Sequence, residues 1–231
     1  MTTPKHIAII LDGNRRFAKR LMAKPWEGHE FGAKKVETLL KWCYELGVKE
    51  LTLYAFSIEN FNRPKKEFDY LMNLFRESFK KVGNNKEIHE KKVRINVLGR
   101  IDLFPADVAK SMWEIMEKTK KYSNIVVNFC MAYGGRQEIT DAARRMFADI
   151  ERGGIKADDI NEETFKKYLY TADEPDLIIR TGGEKRLSGF LLYQSSYSEL
   201  VFVEKMWPEF EKKDLLECIS EFNRRERRFG R

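Results

Sequence analysis

Short apolar runs alternate along this chain with stretches whose apolar residues recur at helical spacing. The run Ile7-Ala8-Ile9-Ile10-Leu11 is unbroken and β-branched at Ile7, Ile9 and Ile10, which predicts a strand buried on both faces. A helix is expected from Phe31 to Leu46, because Val36, Leu39, Leu40 and Cys43 keep one face apolar and Gly47 stops it. Leu51 to Phe56 reads as a second strand, closed by the polar stretch from Ser57 to Pro64. Residues 67 to 82 carry Phe68, Leu71, Met72, Leu74, Phe75 and Phe79. That is more apolar surface than one buried stripe requires, so this helix can both pack a core and wall a cavity. A short basic helix over Lys86 to Lys92, a strand over Val93 to Leu98 and a helix over Pro105 to Tyr122 follow. Proline in the first turn suits that last helix, since its missing amide proton is not needed there. A strand over Ile125 to Met131, a helix over Glu138 to Glu151 and a strand over Asp176 to Ile179 come next. Tyr197 to Val203 sets an acid before an apolar run, and Trp207-Pro208 opens the final helix. Strand and helix alternate throughout, which argues an α/β fold with a mainly parallel sheet covered on both sides, as one domain over residues 1–231.

The polar residues that change this picture stand where strands end. Asp12, Gly13, Asn14, Arg15 and Arg16 follow the first strand directly, and the carboxyl ends of strands are where open α/β sheets bind ligands. The carboxylate suits a hard divalent cation and the arginines suit phosphate. A strand, an Asx-type turn and a solvated basic helix explain the same residues equally well. The second strand delivers Ser57, Asn60 and Arg63 to its own end. The strand at 176–179 leads into Arg180-Thr181-Gly182-Gly183-Glu184-Lys185-Arg186-Leu187-Ser188-Gly189, a second basic, glycine-rich loop without the spacing of a Walker motif. Asp158, Asp159 and Glu162 read as helix capping.

Composition excludes more than it selects. The chain has 231 residues, 42% hydrophobic and 34% charged, with a formal charge of +7, which points to anionic partners without choosing among them. Cys43, Cys130 and Cys218 lie far apart, so buried reduced thiols are expected rather than disulfides or CxxC metal sites. No apolar stretch has membrane-spanning length and no signal pattern opens the chain. A cytoplasmic protein is therefore expected, with transient, peripheral contact with a membrane surface.

Assembled in order, these loops resemble the cis-prenyltransferase family, whose best-known members are undecaprenyl diphosphate synthases. The resemblance rests on His6 to Asn14, Gly28-His29, Leu53 to Arg63, Tyr133-Gly134-Gly135-Arg136, Ile179 to Ser188, Phe190 to Gln194, Glu199-Leu200 and Trp207-Pro208. It implies a six-stranded, mainly parallel sheet with an apolar tunnel, for which the helix at 67–82 and the strand at 125–131 are candidate walls. It implies a homodimer and a Mg²⁺-dependent condensation of isopentenyl diphosphate with an allylic prenyl diphosphate to a Z-configured polyprenyl diphosphate. By the same resemblance Asp12 and Glu199 are the metal-linked carboxylates, and Asp12, Asn14, Ser57 and Asn60 are catalytic. Gly13, Asn14, Arg15, Arg16, Phe17, Lys24, His29 and Arg63 are expected at the allylic diphosphate. Arg180, Arg186, Ser188, Arg228 and Gly230 are expected at isopentenyl diphosphate, the last two from a terminal Arg-x-Gly that reaches a partner's site.

The chain departs from the family pattern at Arg15, where glycine is usual, at Pro25 for arginine, at Lys185 for histidine and at Gly189 for asparagine. Rival readings are a same-fold enzyme with another acceptor, a short product or altered regiochemistry, and, further off, a non-catalytic partner subunit or a nucleic-acid-binding protein. Arginines clustered at strand ends around glycines, and the lack of any RNA-module signature, argue against nucleic acid as a partner.

Overall fold

The computed structural model describes residues 2–225. Six strands form one sheet in the order β3-β4-β2-β1-β5-β6: β1 (His6–Ile10), β2 (Glu50–Ser57), β3 (Val93–Leu98), β4 (Ile125–Tyr133), β5 (Leu177–Arg180) and β6 (Glu199–Phe202). Every pairing is parallel, so the sheet is all-parallel where a mainly parallel one was expected. All residues of β1 and β5 are buried, as both-face coverage requires.

The alternation of side chains sorts the core into two layers. Ile7, Ile9, Leu51 and Leu53 face the larger layer with the helices α2 (Gly28–Glu45), α3 (Lys65–Gly83), α5 (Ala106–Thr119) and α8 (Lys212–Arg224). Ala8, Ile10, Cys130 and Ile178 face a smaller layer closed by Tyr133, Phe190 and Leu191. The remaining helices are α1 (Asn14–Arg20), α4 (Lys86–Glu90), α6 (Gly135–Glu151) and α7 (Glu162–Lys166).

Connections leave β1 in one direction across the sheet through β2, and the chain later returns from β4 to β5 on the other side of β1. The crevice between the ends of β1 and β5 is thus a topological switch point, where α/β sheets place ligands. Asp12 and the loop after Arg180 lie there.

Several boundaries differ from the expected ones. α2 begins at Gly28 rather than Phe31, which puts His29 on the first turn of a rigid helix. α6 begins at Gly135 rather than Glu138. Trp207-Pro208 does not open the final helix: residues Trp207–Glu209 form a short 3₁₀ turn and α8 starts at Lys212. The cause is burial. The Trp207 indole is fully enclosed and donates from Nε1 to the Gly32 carbonyl at 3.0 Å, which ties this turn to α2. The acidic stretch at 158–162 is capping, with Asn161 Oδ1 accepting from the Thr164 amide at the start of α7. Cys43, Cys130 and Cys218 are free and buried. No helix among the described residues is long and apolar enough to cross a membrane.

Candidate active site

Asp12 follows β1 and is held by what surrounds it. Its Oδ1 accepts from the Gly13 amide at 2.6 Å and its Oδ2 from Arg180 Nη2 at 2.8 Å. Its backbone carbonyl accepts from the Thr181 hydroxyl and from the Trp207 amide, both at 2.8 Å. Arg16, one helical turn on, reaches Oδ1 at 3.5 Å. The carboxylate is still 30% exposed and opens on the cavity mouth, so lone pairs remain for a cation.

The Asp12–Arg180 pair spans the switch point between β1 and β5. Arg180 is 4% exposed and also donates from Nη1 to the Ser188 hydroxyl at 2.9 Å and to the Arg186 carbonyl at 2.5 Å. Its Nε is buried without a partner. These contacts fix the guanidinium as a positioned positive charge in the cavity wall. Arg16 Nη2 lies where a side chain on Gly182 would stand, 2.6 Å from the position of its missing Cβ, so glycine there lets Arg16 lie between the two loops.

Gly13, Asn14, Arg15, Arg16, His29 and Arg63 line one open hollow of about 350 Å³ together with Asp12 and Lys19. Arg15, His29 and Arg63 converge on a residue that sequence reasoning did not single out. Glu67, in the first turn of α3, is 1% exposed. Arg63 Nη1 is 3.2 Å from its Oε1, Arg15 Nη2 is 3.6 Å from Oε2, and His29 Nε2 is 3.8 Å from Oε1. His29 and its two arginine neighbours hold the Glu67 carboxyl below the usual range. Burial, with Arg63 and Arg15 adding, pushes the His29 imidazole below its ordinary value. Arg63 Nη1 also lies 3.2 Å from His29 Nε2. Arg15 leaves the tight loop and runs to Glu67, so it does not crowd the backbone where the family has glycine.

Other expected residues lie elsewhere. The Phe17 ring packs edge-on against Phe31 at 5.3 Å, outside the hollow. Lys24 is exposed, its ammonium 5.9 Å from the centre of the Trp26 ring, and Pro25 opens the 3₁₀ turn Pro25–Glu27. Lys185 and Arg186 are exposed, and Arg186 pairs with Glu184. Gly189 has φ +80°, a conformation that asparagine also tolerates, so the backbone there is compatible with either residue. Glu199 is not brought to Asp12. It begins β6 level with Leu177, while the Asp12 end of the sheet is marked by Arg180 paired with Phe202, and its carboxylate holds Arg225 at 2.9 Å. Arg228 and Gly230 lie outside the described residues.

The hollow continues inward. A cavity of about 300 Å³ shares Asp12, Asn14, His29 and Arg63 with it and adds Arg180, Ser57 and Asn60. Its deeper walls are apolar: Val36 and Leu40 of α2, Leu74, Phe79 and Val82 of α3, and Phe129 and Met131 of β4. Residues of the helix at 67–82 and of the strand at 125–131 line this cavity. Ser57 and Asn60 cap each other around the 3₁₀ turn Ile58–Asn62, with the Ser57 amide donating to Asn60 Oδ1 at 3.2 Å. The site therefore offers anion donors and one hard carboxylate at the mouth, and a greasy interior behind them.

Residues 10–230 match a prenyltransferase family model described as "Putative undecaprenyl diphosphate synthase". The chain is 54% identical, over 99% of its length and 87% of the relative's, to the tritrans,polycis-undecaprenyl-diphosphate synthase (geranylgeranyl-diphosphate specific) of Thermococcus kodakarensis. It is 43% identical to an isoprenyl transferase of Thermus thermophilus, over 99% of this chain and 89% of that one. Among solved structures it resembles lavandulyl diphosphate synthase from Lavandula x intermedia in complex with dimethylallyl diphosphate. That match has a TM-score of 0.92 and 33% identity, and covers 99% of each chain.

Proposed function

The chain belongs to the undecaprenyl diphosphate synthase family of prenyl-group transferases, and from that premise we propose that it condenses isopentenyl diphosphate with an allylic prenyl diphosphate, geranylgeranyl diphosphate in the first instance, to a Z-configured polyprenyl diphosphate. The observation that carries this reading is the single continuous cavity, with Asp12, His29, Arg63 and Arg180 at its mouth and Leu74, Phe79 and Val82 along its walls. That is the complement of a molecule with an anionic head and a long apolar tail. The choice of primer follows the geranylgeranyl-diphosphate specificity in the name of the relative from Thermococcus kodakarensis.

In this reading the hollow around Gly13, Asn14, Arg15, Arg16, His29 and Arg63 takes the allylic diphosphate. Arg180, Arg186 and Ser188 take the diphosphate of isopentenyl diphosphate, and for this Arg186 exchanges Glu184 for the ligand. Fixed cations beside the allylic oxygen stabilise the charge that grows as the C–O bond breaks and the diphosphate leaves with the electron pair. The alkene of the second substrate, held by its own head, attacks the allylic carbon, a step that depends on alignment. The acceptor then loses its proton to the departing diphosphate, and Ser57 and Asn60, which line the same cavity, orient the two for that transfer.

A partly exposed carboxylate suits Mg²⁺, which is commonly held by one or two carboxylates together with substrate phosphates. Asp12 would hold it, and among the described residues no cluster of three or more acidic, histidine or cysteine side chains forms a cage. When bound, the ion supplies Lewis-acid neutralisation of diphosphate charge. Glu199 has no part in this within one subunit. A homodimer, completed by Arg228 and Gly230 of each chain, and peripheral membrane contact belong to the same reading.

The test is incubation of the purified protein with Mg²⁺, labelled isopentenyl diphosphate and allylic primers of several lengths. Butanol-extractable label is expected, with geranylgeranyl diphosphate the best primer, and Asp12→Ala should reduce turnover by several orders of magnitude while leaving the fold intact. Absence of product with every primer would sink the enzymatic reading. Structural analysis of the product separates Z head-to-tail chains from irregular linkages.

A further inference from the structure

The segment that joins α1 to α2 carries an apolar surface that the reaction does not use. Leu21 is 51% exposed, Met22 99% and Phe31 44%. Leu21 follows Phe17 by one helical turn and so shares its face, and Phe17 in turn packs on Phe31, which makes Leu21 and Phe31 parts of one patch. Met22 has φ +55°. A large apolar residue standing wholly in water, in a backbone conformation that glycine or asparagine would adopt more easily, gains nothing inside the free monomer.

Cations rim this patch. Lys19, Lys24 and Lys34 make no ion pair among the described residues. Arg20 pairs with Glu209, and Lys35 stands over the Trp42 ring. The nearby acids are engaged: Glu27 accepts from the Lys24 amide and Glu30 from the Tyr70 hydroxyl. Lys19 also belongs to the diphosphate hollow, so the patch adjoins the mouth of the site.

We propose that Leu21, Met22 and Phe31, with Lys19, Lys24 and Lys34 around them, dock the protein on an anionic lipid bilayer. Exposed apolar side chains flanked by exposed lysines match an interface in which the apolar chains enter the acyl boundary and the ammonium groups stay among anionic headgroups. The choice of a bilayer over a protein partner rests on this charge complementarity, on the net charge of +7 and on the site's apolar interior. To that extent it rests on the proposed function, since an amphiphilic substrate or product would then enter or leave at the headgroup level.

The experiment is co-sedimentation of the full chain with vesicles of phosphatidylcholine alone and with vesicles that also contain phosphatidylglycerol. The wild-type protein should sediment with the anionic vesicles only and be released by salt, and Leu21→Ser/Met22→Ser should weaken binding by roughly tenfold. Thermal unfolding and turnover in detergent solution of that variant should match the wild type, because neither residue lines the site. Equal sedimentation of variant and wild type would overturn the proposal. So would a wild-type oligomer that the same variant dissolves without vesicles, because the patch would then be covered by a second copy of the chain. Sedimentation needs no catalysis, so a failure of prenyl transfer and a failure of docking register separately.

Discussion

The residue on which the site turns is one that forms no part of any loop. Glu67 sits buried in α3 with Arg15, Arg63 and His29 gathered on it. Without substrate it is the counter-anion that lets a cationic hollow exist in a folded protein, since uncompensated buried charge is costly. In the proposed function, a bound diphosphate competes with it for the same arginines. Glu67→Gln should therefore lower the stability of the free protein by about 1–3 kcal/mol. It should also enlarge the stabilisation that inorganic pyrophosphate confers in a thermal melt. If pyrophosphate shifted the melting temperature of the variant less than that of the wild type, Glu67 would be helping to bind the anion rather than standing in for it. Arg15 gains its meaning here as well: at the end of a long side chain it adds a cation to the hollow without occupying the phosphate loop.

At the scale of elements, α2 and α3 wall the cavity but hold each other at a distance. Polar ties cross between them at Glu30 and Tyr70 and at Glu37 and Lys81, the latter at 2.6 Å. Exposed pairs of this kind contribute about 0–1 kcal/mol each, so the groove can widen around a guest at little cost. Along α2 the cavity runs from His29 to Leu40, about 16 Å at the rise of an α-helix. In the proposed function the catalytic end and the tail end are thus separated by three turns, and a change at one should spare the other. Ser78→Phe, a larger side chain on the cavity wall of α3, should shift the product distribution to shorter chains while the KM for the allylic primer changes less than twofold or so. Chromatography of dephosphorylated products reads this directly, and an unchanged distribution would show that the tail does not run past Ser78.

At the scale of the molecule, stability and catalysis draw on opposite ends of one sheet. The carboxyl ends carry the site. The amino ends carry a buried polar ladder: His6 Nε2 and Asn128 Nδ2 meet the Thr52 hydroxyl at 2.8 and 3.0 Å, and Asn128 also donates to Glu50 at 2.6 Å. Burial lowers the His6 pKa from 6.5 to about 4, against the nearby acids Asp173 and Asp176. Burial, with Asp173 adding, raises that of Glu50 from 4.5 to about 7. The signs oppose. Between pH 6.5 and 4 the unfolded chain keeps a proton that folded His6 sheds, so this residue costs stability as pH falls. Between pH 7 and 4.5 folded Glu50 keeps a proton that the unfolded chain sheds, so it adds stability as pH falls. The two effects offset each other over their shared window. Glu50→Gln should leave the His6 effect alone, and its urea midpoint should drop more steeply than that of the wild type from pH 6.5 to 4.5. Parallel curves for the two proteins would show that Glu50 ionises normally in the folded state.

What the amino-acid order determined by itself was everything local. Unbroken β-branched runs such as Ile7 to Leu11 and helically spaced rows such as Val36 to Cys43 specify strands and helices through neighbours a few residues away. The alternation of such elements then calls for a parallel sheet with ligands at strand ends. Asp12, Arg63 and Arg180 were legible because each stands at the end of a strand or in the polar segment that follows it. Tertiary structure alone decided how these ends meet. Strand order put β5 beside β1, so that Asp12 and Arg180, far apart in the chain, became hydrogen-bonded partners. Register put Glu199 at the other end of β6 from that pair. The meeting of the start of α1, the first turn of α2 and the first turn of α3 made Glu67, an ordinary acid in a charged helix start, the buried centre of the cationic hollow. Propensity acts between neighbours in sequence. Burial and charge compensation act between neighbours in space, and only the fold says which residues those are.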